Sequence, residues 1–402
     1  MKKTYFVATS ILALFLSVTL ISSCKVETNK YDYLKKVLAN LEKIKSATYS
    51  STCIASAPGD TLAFRTLYSH TEEYNNPTDT IAGSSFTVTQ QTGYSKVSWF
   101  YDGIAFTYLL WDENKIEIDS FKTNKLPVRP ISTPFFNYTK SIIKYALETK
   151  DSISTELKDF GDSIKFSLYI PCKIIEFLGK PVVWDNPLLS SKDKFSKYDI
   201  WINKSDNLPY RYKRHMPHQT TWETCKNVEY DKIKIADFKV LKYFPSNFEI
   251  MVRGKQKTKK IDLTGKVATD WSLQNTNNET ISLKDLKSKV LMIQFTGIGC
   301  GPCHASIPFL KQLVTDYKDK SFELISIETW SDNITGIKRY CTNNGLNYMF
   351  LMSTKDVTKS YQIQSVPSFY ILDKNRVIRK IINGYSEKTT DKEIKDAINE
   401  LI

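Results

Sequence analysis

The sequence predicts two consecutive globular domains, an α+β domain with an antiparallel sheet and then an α/β domain. The 402-residue chain is about two to three times as long as a usual domain of roughly 100 to 200 residues. Strand-like runs rich in aromatic residues, Thr and Ser fill residues 31–250, whereas short apolar runs alternate with helical periods after residue 262. A hydrophobic content of 41% and a charged content of 25% are typical of folded, globular chains.

Residues 1–23 have the layout of a secretory signal peptide. Lys2 and Lys3 precede an apolar run that ends at Ile21-Ser22-Ser23-Cys24. The run is near the minimum length of a spanning helix, so a retained N-terminal anchor is the alternative. The tetrapeptide resembles the bacterial lipobox, in which the cysteine is lipidated and becomes the first residue. This resemblance implies that Cys24 holds the protein at a lipid bilayer of the cell envelope, facing the periplasm or the cell surface.

Residues 24–250 are expected to form the first domain. Apolar residues repeat at helical spacing between Asp32 and Ile44, which predicts a helix. Runs of strand-forming residues separated by polar turns predict a large antiparallel sheet. These runs are Phe86 to Thr89, Lys96 to Tyr101, Ile104 to Trp111, Lys115 to Ile118, Ile164 to Ile170, Tyr198 to Ile202 and Tyr210 to Arg214.

The segments Tyr101-Asp102-Gly103-Ile104 and Tyr198 to Pro209 resemble turns and strands of the LolA-like lipoprotein-carrier fold. That resemblance implies an open half-barrel with a helix in its mouth, a shape that suits a docking surface or an apolar ligand. If two of the three thiols in this region pair, one is left over, and the sequence does not choose among Cys53, Cys172 and Cys225. His215-Met216-Pro217-His218 with Cys225 suggests a copper site, but further ligands are missing nearby.

Residues 251–261 are expected to be a linker, because Met251 to Lys260 reads MVRGKQKTKK. Contact of this basic run with anionic lipid is the alternative. The formal charge of +13 raises the question of nucleic acid, yet no motif of a nucleic-acid reader is present. We therefore expect no nucleic-acid partner.

Residues 262–402 are expected to form the second domain, in which crossover helices cover a sheet. The first buried strand, Val290 to Phe295, leads into Cys300-Gly301-Pro302-Cys303 and then into a helix. The later predicted strands and helices are Phe322 to Ile327, Ser331 to Asn344, Tyr348 to Met352, Ser368 to Leu372, Val377 to Ile382, and a final helix from Thr390.

The two cysteines at this strand-to-helix corner predict redox chemistry. A cysteine in the first turn of a helix faces unpaired backbone N–H groups, which stabilise its thiolate and make Cys300 the nucleophile. Three residues later, Cys303 returns to the same side of the helix and can resolve a mixed disulfide. Pro302 lacks an N–H that the first turn does not need, and Gly301 lets a substrate backbone approach. No cofactor is expected besides the cysteine pair itself.

A structural disulfide, half of a zinc site and two core thiols without a redox role are the alternatives for this motif. Zinc requires four ligands, and only His304 and Cys341 follow in the domain, so no metal is expected. A structural disulfide does not require a strand-to-helix corner.

Lys289 to Leu310 (KVLMIQFTGIGCGPCHASIPFL) resembles the active-site segment of thioredoxins, most of all the TlpA/ResA type tethered outside the cytoplasm. The resemblance extends over residues 262–402 and implies a thioredoxin fold. It implies a cis-proline at Pro367, where the backbone of Val366 pairs with an extended substrate peptide. Pro308 matches the proline that kinks the helix after the cysteines.

The sequence departs from this family at the site. Gly299 stands where a Trp usually precedes the first cysteine, and Thr296 replaces an aromatic residue. Gln294 and Ser306 occupy positions where relatives carry an Asp or a Glu for proton transfer. Glu328 is the nearest remaining acid, although a Glu at a strand end is usually solvated.

Two other side chains are expected to be bystanders. His304 is expected to be an exposed helical side chain, although it could stabilise the Cys300 thiolate. Cys341 is expected to be a buried apolar thiol.

The resemblance implies an oxidoreductase that acts on cysteines or disulfides of client proteins and receives electrons from a thiol donor in the membrane. The alternative is a lipid-, glycan- or partner-binding lipoprotein in which the second domain is only an adaptor. A copper chaperone would need a wider cysteine spacing, and a peroxiredoxin would need a different motif.

Overall fold

The computed structural model describes residues 29–58, 60, 62–91, 96–121, 133–184, 194–253 and 261–402. The predicted signal peptide, the lipidation site at Cys24 and most of the predicted linker lie outside these ranges. None of the helices in the described ranges has the length and apolar character that a bilayer crossing requires.

The first half of the described chain forms one large sheet with two helices. The helices are α1 (Lys30–Lys43) and α2 (Phe135–Glu148). The strands of this region are β1 (Ser46–Ser56), β2 (Ala63–Asn75), β3 (Ser84–Gln90), β4 (Val97–Tyr101), β5 (Phe106–Leu110), β6 (Lys115–Asp119), β7 (Ser154–Asp159), β8 (Ser163–Pro171), β9 (Ile175–Phe177), β10 (Pro181–Val183), β11 (Phe195–Asn203), β12 (Pro209–Met216), β13 (Gln219–Tyr230) and β14 (Glu249–Val252).

Twelve of these strands are hydrogen-bonded in the order β14-β6-β5-β4-β3-β2-β1-β13-β12-β11-β8-β7. Every neighbouring pair is antiparallel except β14 and β6. The predicted antiparallel sheet is therefore present, and the likeness to the LolA carrier fold stays a prediction. Strand β14 runs two residues past the predicted domain boundary, and Arg253 forms an ion pair with Glu117, so residues 251–253 lie on the sheet.

Helices α1 and α2 pack on one half of the sheet, the half that runs from β1 through β13, β12 and β11 to β8. Apolar residues of α1, such as Leu34 and Val37, pack with Ile142 of α2 and Phe166 of β8 in one buried cluster. Glu73, a residue of β2, caps the N-terminus of α2. Its carboxylate accepts hydrogen bonds from the N–H groups of Phe136 and Asn137 at 3.1 and 2.7 Å. Burial raises the pKa of Glu73 to about 7. The sheet therefore fixes where α2 begins.

The second half forms a five-stranded sheet covered by helices. The strands and helices are β15 (Ser272–Gln274), β16 (Thr280–Ser282), β17 (Val290–Thr296), α3 (Gly301–Asp316), β18 (Phe322–Glu328), α4 (Ile334–Asn343), β19 (Met349–Met352), α5 (Lys355–Ser360), β20 (Ser368–Leu372), β21 (Ile378–Asn383) and α6 (Thr390–Asn399).

The order of the main sheet is β19-β18-β17-β20-β21, with β15 and β16 paired separately. Strands β17, β18 and β19 are parallel, whereas β20 and β21 are antiparallel to their neighbours. All seven residues of β17 are buried, as expected of a central strand with both faces covered. This is the predicted thioredoxin-type arrangement, and it places the end of β17 and the start of α3 at one edge of the sheet.

Candidate functional site

The two motif cysteines lie where β17 gives way to α3. Cys300 is the N-cap residue of the helix and Cys303 lies in its first turn. The two form a disulfide with their Cα atoms 5.2 Å apart. Cys300 is 6% exposed and Cys303 is 1% exposed, so only Cys300 offers any surface to a partner.

The first turn of α3 provides an environment that stabilises a negative charge on the Cys300 sulfur. The backbone N–H of Cys303 lies 3.2 Å from Cys300 Sγ. An N–H group at a helix N-terminus stabilises a thiolate, since the unpaired donors and the helix dipole favour negative charge. Pro302 occupies the first turn, where its missing N–H costs nothing. Pro308 lies inside the helix, at the predicted position.

The second predicted marker, at the start of β20, lies beside the cysteines. The peptide bond between Val366 and Pro367 is cis, and the Val366 carbonyl oxygen lies 3.7 Å from Cys300 Sγ. The sequence places these residues 66 positions apart, and the fold brings them together. A substrate that reached Cys300 would therefore meet the Val366 backbone.

A buried network without a carboxylate occupies the space next to Cys303. The Ser306 hydroxyl donates to the Cys303 carbonyl oxygen at 2.7 Å. The Gln294 amide donates to Ser306 at 3.1 Å and accepts from Ser326 at 2.6 Å. Gln294 and Ser306 stand at the two positions where the family resemblance implied an acid, and they are hydrogen-bonded to each other. The network beside Cys303 is therefore built from neutral side chains.

Glu328 is buried, which corrects the expectation of a solvated side chain. It is 1% exposed at the end of β18. Its carboxylate accepts hydrogen bonds from the N–H groups of Ile298, Trp330 and Ser331 at 2.9, 2.8 and 3.0 Å. Loss of hydration raises the pKa of Glu328 to about 7, although these three donors act in the opposite direction. Glu328 therefore ties the loop before Cys300 to β18.

His304 also differs from its prediction. The side chain is half-buried, and its Nδ1 atom is buried without a hydrogen-bond partner in the described residues. Burial lowers the pKa of His304, which favours the neutral ring. Cys341 is half-buried, as an apolar thiol would be, and loss of hydration raises its pKa to about 12. A thiol with so high a pKa is a poor nucleophile near neutral pH.

The first domain packs against the loop that carries Cys300. Gly299 has φ +91°, and a Cβ atom there would lie 2.7 Å from Gln219 Nε2 and 2.9 Å from Phe64 Cζ. These two residues belong to β13 and β2 of the large sheet. A Trp at position 299 would not fit, because Phe64 and Gln219 of the first domain fill the space above the motif.

Polar and apolar contacts hold the two domains together. Arg339 of α4 forms an ion pair with Asp60 at 2.5 Å, and the Asp60 side chain is only 2% exposed. The Asn333 side chain donates to the Ala63 carbonyl at 3.0 Å. Ala57 and Phe64 of the first domain join an apolar cluster with residues of the second. That cluster contains Ile298, Ile307, Ile337, Tyr340 and Phe350.

A chamber of about 740 Å³ lies between the sheet and the redox site. We define it by Cys300, Gly301, Pro302 and Val366 on one side and by one face of β1 to β4, β12 and β13 on the other, together with the start of α2. Sequence reasoning suggested a docking or ligand surface on the first domain, but it did not predict that this surface would enclose the redox site. Its signal was the alternation along β2, where Arg65, Leu67, Ser69 and Thr71 all face it.

The other cysteines and the suggested copper site show no metal geometry. Cys53, Cys172 and Cys225 are free thiols in the described chain. The His215 ring bonds Thr220 at 2.6 Å. No group of three or more His, Cys, Asp or Glu side chains in the described residues is placed to hold a metal ion.

Fold and site together define the second domain as a thioredoxin-like oxidoreductase domain with a disulfide between Cys300 and Cys303. Residues 263–398 match the family model described as Redoxin.

The curated relatives carry names of the same kind. The chain is 27% identical over 136 residues to the thiol-disulfide oxidoreductase ResA of Bacillus thuringiensis (strain Al Hakam), a match that covers 31% of this chain and 78% of the relative. It is 28% identical over 125 residues to the thioredoxin-like protein YneN of Bacillus subtilis (strain 168), covering 31% and 74%. Each match spans about a third of this chain, the length of the second domain.

Similar solved structures also match about a third of this chain. One is a putative thiol:disulfide interchange protein DsbE from Chlorobium tepidum, with 18% identity, a TM-score of 0.33, and coverage of 34% of this chain and 96% of that one. Another is a putative protein disulfide isomerase from Bacteroides thetaiotaomicron, with 24% identity, a TM-score of 0.32, and coverage of 34% and 89%.

Proposed function

We propose that the protein reduces disulfides of client proteins by dithiol exchange, with Cys300 as the nucleophile and Cys303 as the resolving thiol. The observation that carries this proposal is the unequal placement of the two sulfurs. Cys300 is at the helix N-terminus and reaches the chamber, whereas Cys303 is sealed beneath it. Only the first can meet a client, and only the second can release it.

The exchange proceeds in two balanced steps. The Cys300 thiolate attacks one client sulfur, a mixed disulfide forms, and the other client sulfur leaves as a thiolate. Cys303 then loses its proton and attacks Cys300 Sγ, so that the Cys300–Cys303 disulfide forms and the second client thiol leaves. Two electrons pass from the enzyme dithiol to the client.

Backbone segments of the enzyme on both sides of Cys300 Sγ position the client. Gly301 and Pro302 leave room for a close approach above the first turn, and Val366 offers main-chain groups 3.7 Å from Cys300 Sγ. An extended client segment can pair with Val366 as an added strand, with Pro367 shaping the end of that edge. This geometry presents the client sulfur to Cys300.

Reduction of the spent disulfide requires an external dithiol, for which we propose a thiol-electron donor in the membrane. Lipidation of Cys24 would place the domain close to such a donor, in the cell envelope and facing the periplasm or the cell surface. The signal-peptide layout and the lipobox-like tetrapeptide support this placement.

The reduction potential of the Cys300–Cys303 couple tests the reducing direction. The full-length protein would be equilibrated with buffers of defined ratio of reduced to oxidised dithiothreitol, and the reduced fraction measured by alkylation and mass spectrometry. A potential near that of thioredoxin, about −270 mV, supports a reductase. A potential above about −180 mV, in the range of disulfide-forming catalysts, would overturn the proposed direction.

A further inference from the structure

The chamber between the two domains is larger than the redox site needs. Cys300 is buried against the loop and the large sheet, so a client must enter the chamber to reach the sulfur. A volume of about 740 Å³ is that of a pocket for a small ligand or a few residues of chain. Phe64 and Gln219 pack over Gly299, so the first domain narrows the approach to Cys300 and favours a flexible chain over the flat surface of a folded protein.

We infer that this chamber binds an unfolded client segment that carries an acidic residue near its reactive cysteine, and that Arg65 recognises the acid. The inference rests on the proposed function and names the client class that the site accepts.

The walls suit an extended peptide with apolar side chains. Aromatic and aliphatic residues line the sheet side, among them Phe64, Leu67, Val88, Trp99 and Trp184. They face the same space as Val366, whose backbone can pair with an extended chain. A client segment would thus bond to Val366 on one side and lay its apolar side chains on the sheet.

Among the basic residues that line the chamber, Arg65 is the one that remains charged without an ion pair in the described residues. Of the basic residues that line it, Arg214 is held in an ion pair by Glu176. Burial lowers the pKa of His218 to about 3, and it lowers the pKa of His304, so both rings are neutral near pH 7. Arg65 is exposed to the chamber and forms no ion pair within the described residues.

The acids of the chamber do not balance Arg65. Glu176 is already occupied by Arg214. Glu223 accepts a hydrogen bond from the Tyr212 hydroxyl at 3.0 Å and forms no ion pair with Arg65 in the described residues. The chamber therefore presents the positive charge of Arg65 beside its apolar wall. A carboxylate on the client could form an ion pair with Arg65.

Three disulfide-linked peptides of one sequence test the inference, with Asp, Asn or Lys two residues from the cysteine. Rates of reduction by the full-length protein would be measured under identical low-salt conditions. We expect wild type to reduce the Asp peptide about threefold to fivefold faster than the Lys peptide, the size of a partly hydrated ion pair. Arg65→Gln should abolish this ratio, and Arg65→Glu should reverse it.

Lys226→Gln is the matched control, because Lys226 is an exposed cation on β13 that does not line the chamber. It should retain the wild-type ratio. Equal ratios in wild type and Arg65→Gln would overturn the role of Arg65. If no peptide is reduced by wild type faster than by Cys300→Ser, the proposed function itself fails.

Two further substrates test the client class. The same disulfide would be offered within a folded protein and within a protease-derived fragment of it, and the fragment should react at least about tenfold faster, because only it can enter the chamber. Equal rates would overturn the requirement for an unfolded segment. Oxidised glutathione reduced faster than the Asp peptide, with the advantage lost in Arg65→Gln, would show that the chamber takes a small anionic disulfide instead.

Discussion

The backbone N–H of Ile298 donates a hydrogen bond to the buried carboxylate of Glu328 at 2.9 Å. The loop before Cys300 is therefore fastened to the end of β18 by a group whose pKa, about 7, lies close to neutral pH. Loss of the Glu328 proton near neutral pH would therefore act on a group that holds this loop in place.

Glu328→Gln should flatten the pH dependence of stability. The folded-state pKa of Glu328 is raised, so its contribution to stability is present below about pH 4.5 and is lost as pH rises to about 7. A shift of this size corresponds to about 3 kcal/mol, as an order of magnitude. Urea unfolding of wild type should show this fall between about pH 4.5 and pH 7, and the variant should not. Glu393→Gln, which alters a surface carboxylate, is the control. A wild-type slope retained in Glu328→Gln would contradict the account.

Gly299→Ala should loosen the contact between the domains. The new methyl group would push against Phe64 and Gln219 and would add the strain of a positive φ. Gly265→Ala is the matched control, since Gly265 has φ +80° and a Cβ atom added there would meet no atom within 4 Å. We expect Gly299→Ala to be about 1 to 3 kcal/mol less stable than Gly265→Ala. Alkylation of reduced Cys300 should also be faster. Equal behaviour of the two variants would show that the first domain does not press on this loop.

Gln294→Glu should speed resolution of the mixed disulfide near pH 7. It places a carboxylate beside Ser306, whose hydroxyl contacts the Cys303 carbonyl. A nearby acceptor for the Cys303 proton removes the need for high pH. We expect about a tenfold gain at pH 7, or ~1.4 kcal/mol, and a flatter profile up to pH 9. Gln294→Leu breaks the same network without adding an acid. If both variants resolve the mixed disulfide equally, a missing carboxylate is not what limits release.

Cys24→Ala should release the protein from the membrane fraction. Without the lipidated cysteine, the chain should appear in the soluble fraction or remain as unprocessed precursor. Fractionation followed by mass spectrometry of the N-terminal peptide measures both. An unmodified Cys24 in a mature, membrane-bound protein would rule out the lipid anchor.

The second domain could be predicted from sequence because its signals are local. Strand β17 is buried along its whole length and begins with four consecutive apolar residues, Val290 to Ile293, and the first cysteine follows its end after three residues. The strands of the first domain were harder to predict from the sequence. Strands β2 and β13 were missed because polar residues that face the chamber, such as Arg65 and Ser69 in β2 and Gln219 and Glu223 in β13, interrupt their apolar alternation.

Helix α2 and the contact at Gly299 depend on partners far away in sequence. Glu73 closes the start of α2 from 63 positions away, and no capping side chain precedes the helix. The space above Gly299 is filled by Phe64 and Gln219, which no local pattern near the cysteines reveals. The departure from the family was visible in the sequence, but its cause was not.

The most direct test of the central claim is covalent trapping of a client. Cys303→Ser in the full-length protein leaves Cys300 able to attack but removes the thiol that releases the client. We predict that this variant accumulates a mixed disulfide through Cys300, identified by mass spectrometry of the linked peptides, and that Cys300→Ser forms none. If Cys300→Ser accumulates the mixed disulfide through Cys303 while Cys303→Ser does not, the assignment of the two roles is wrong.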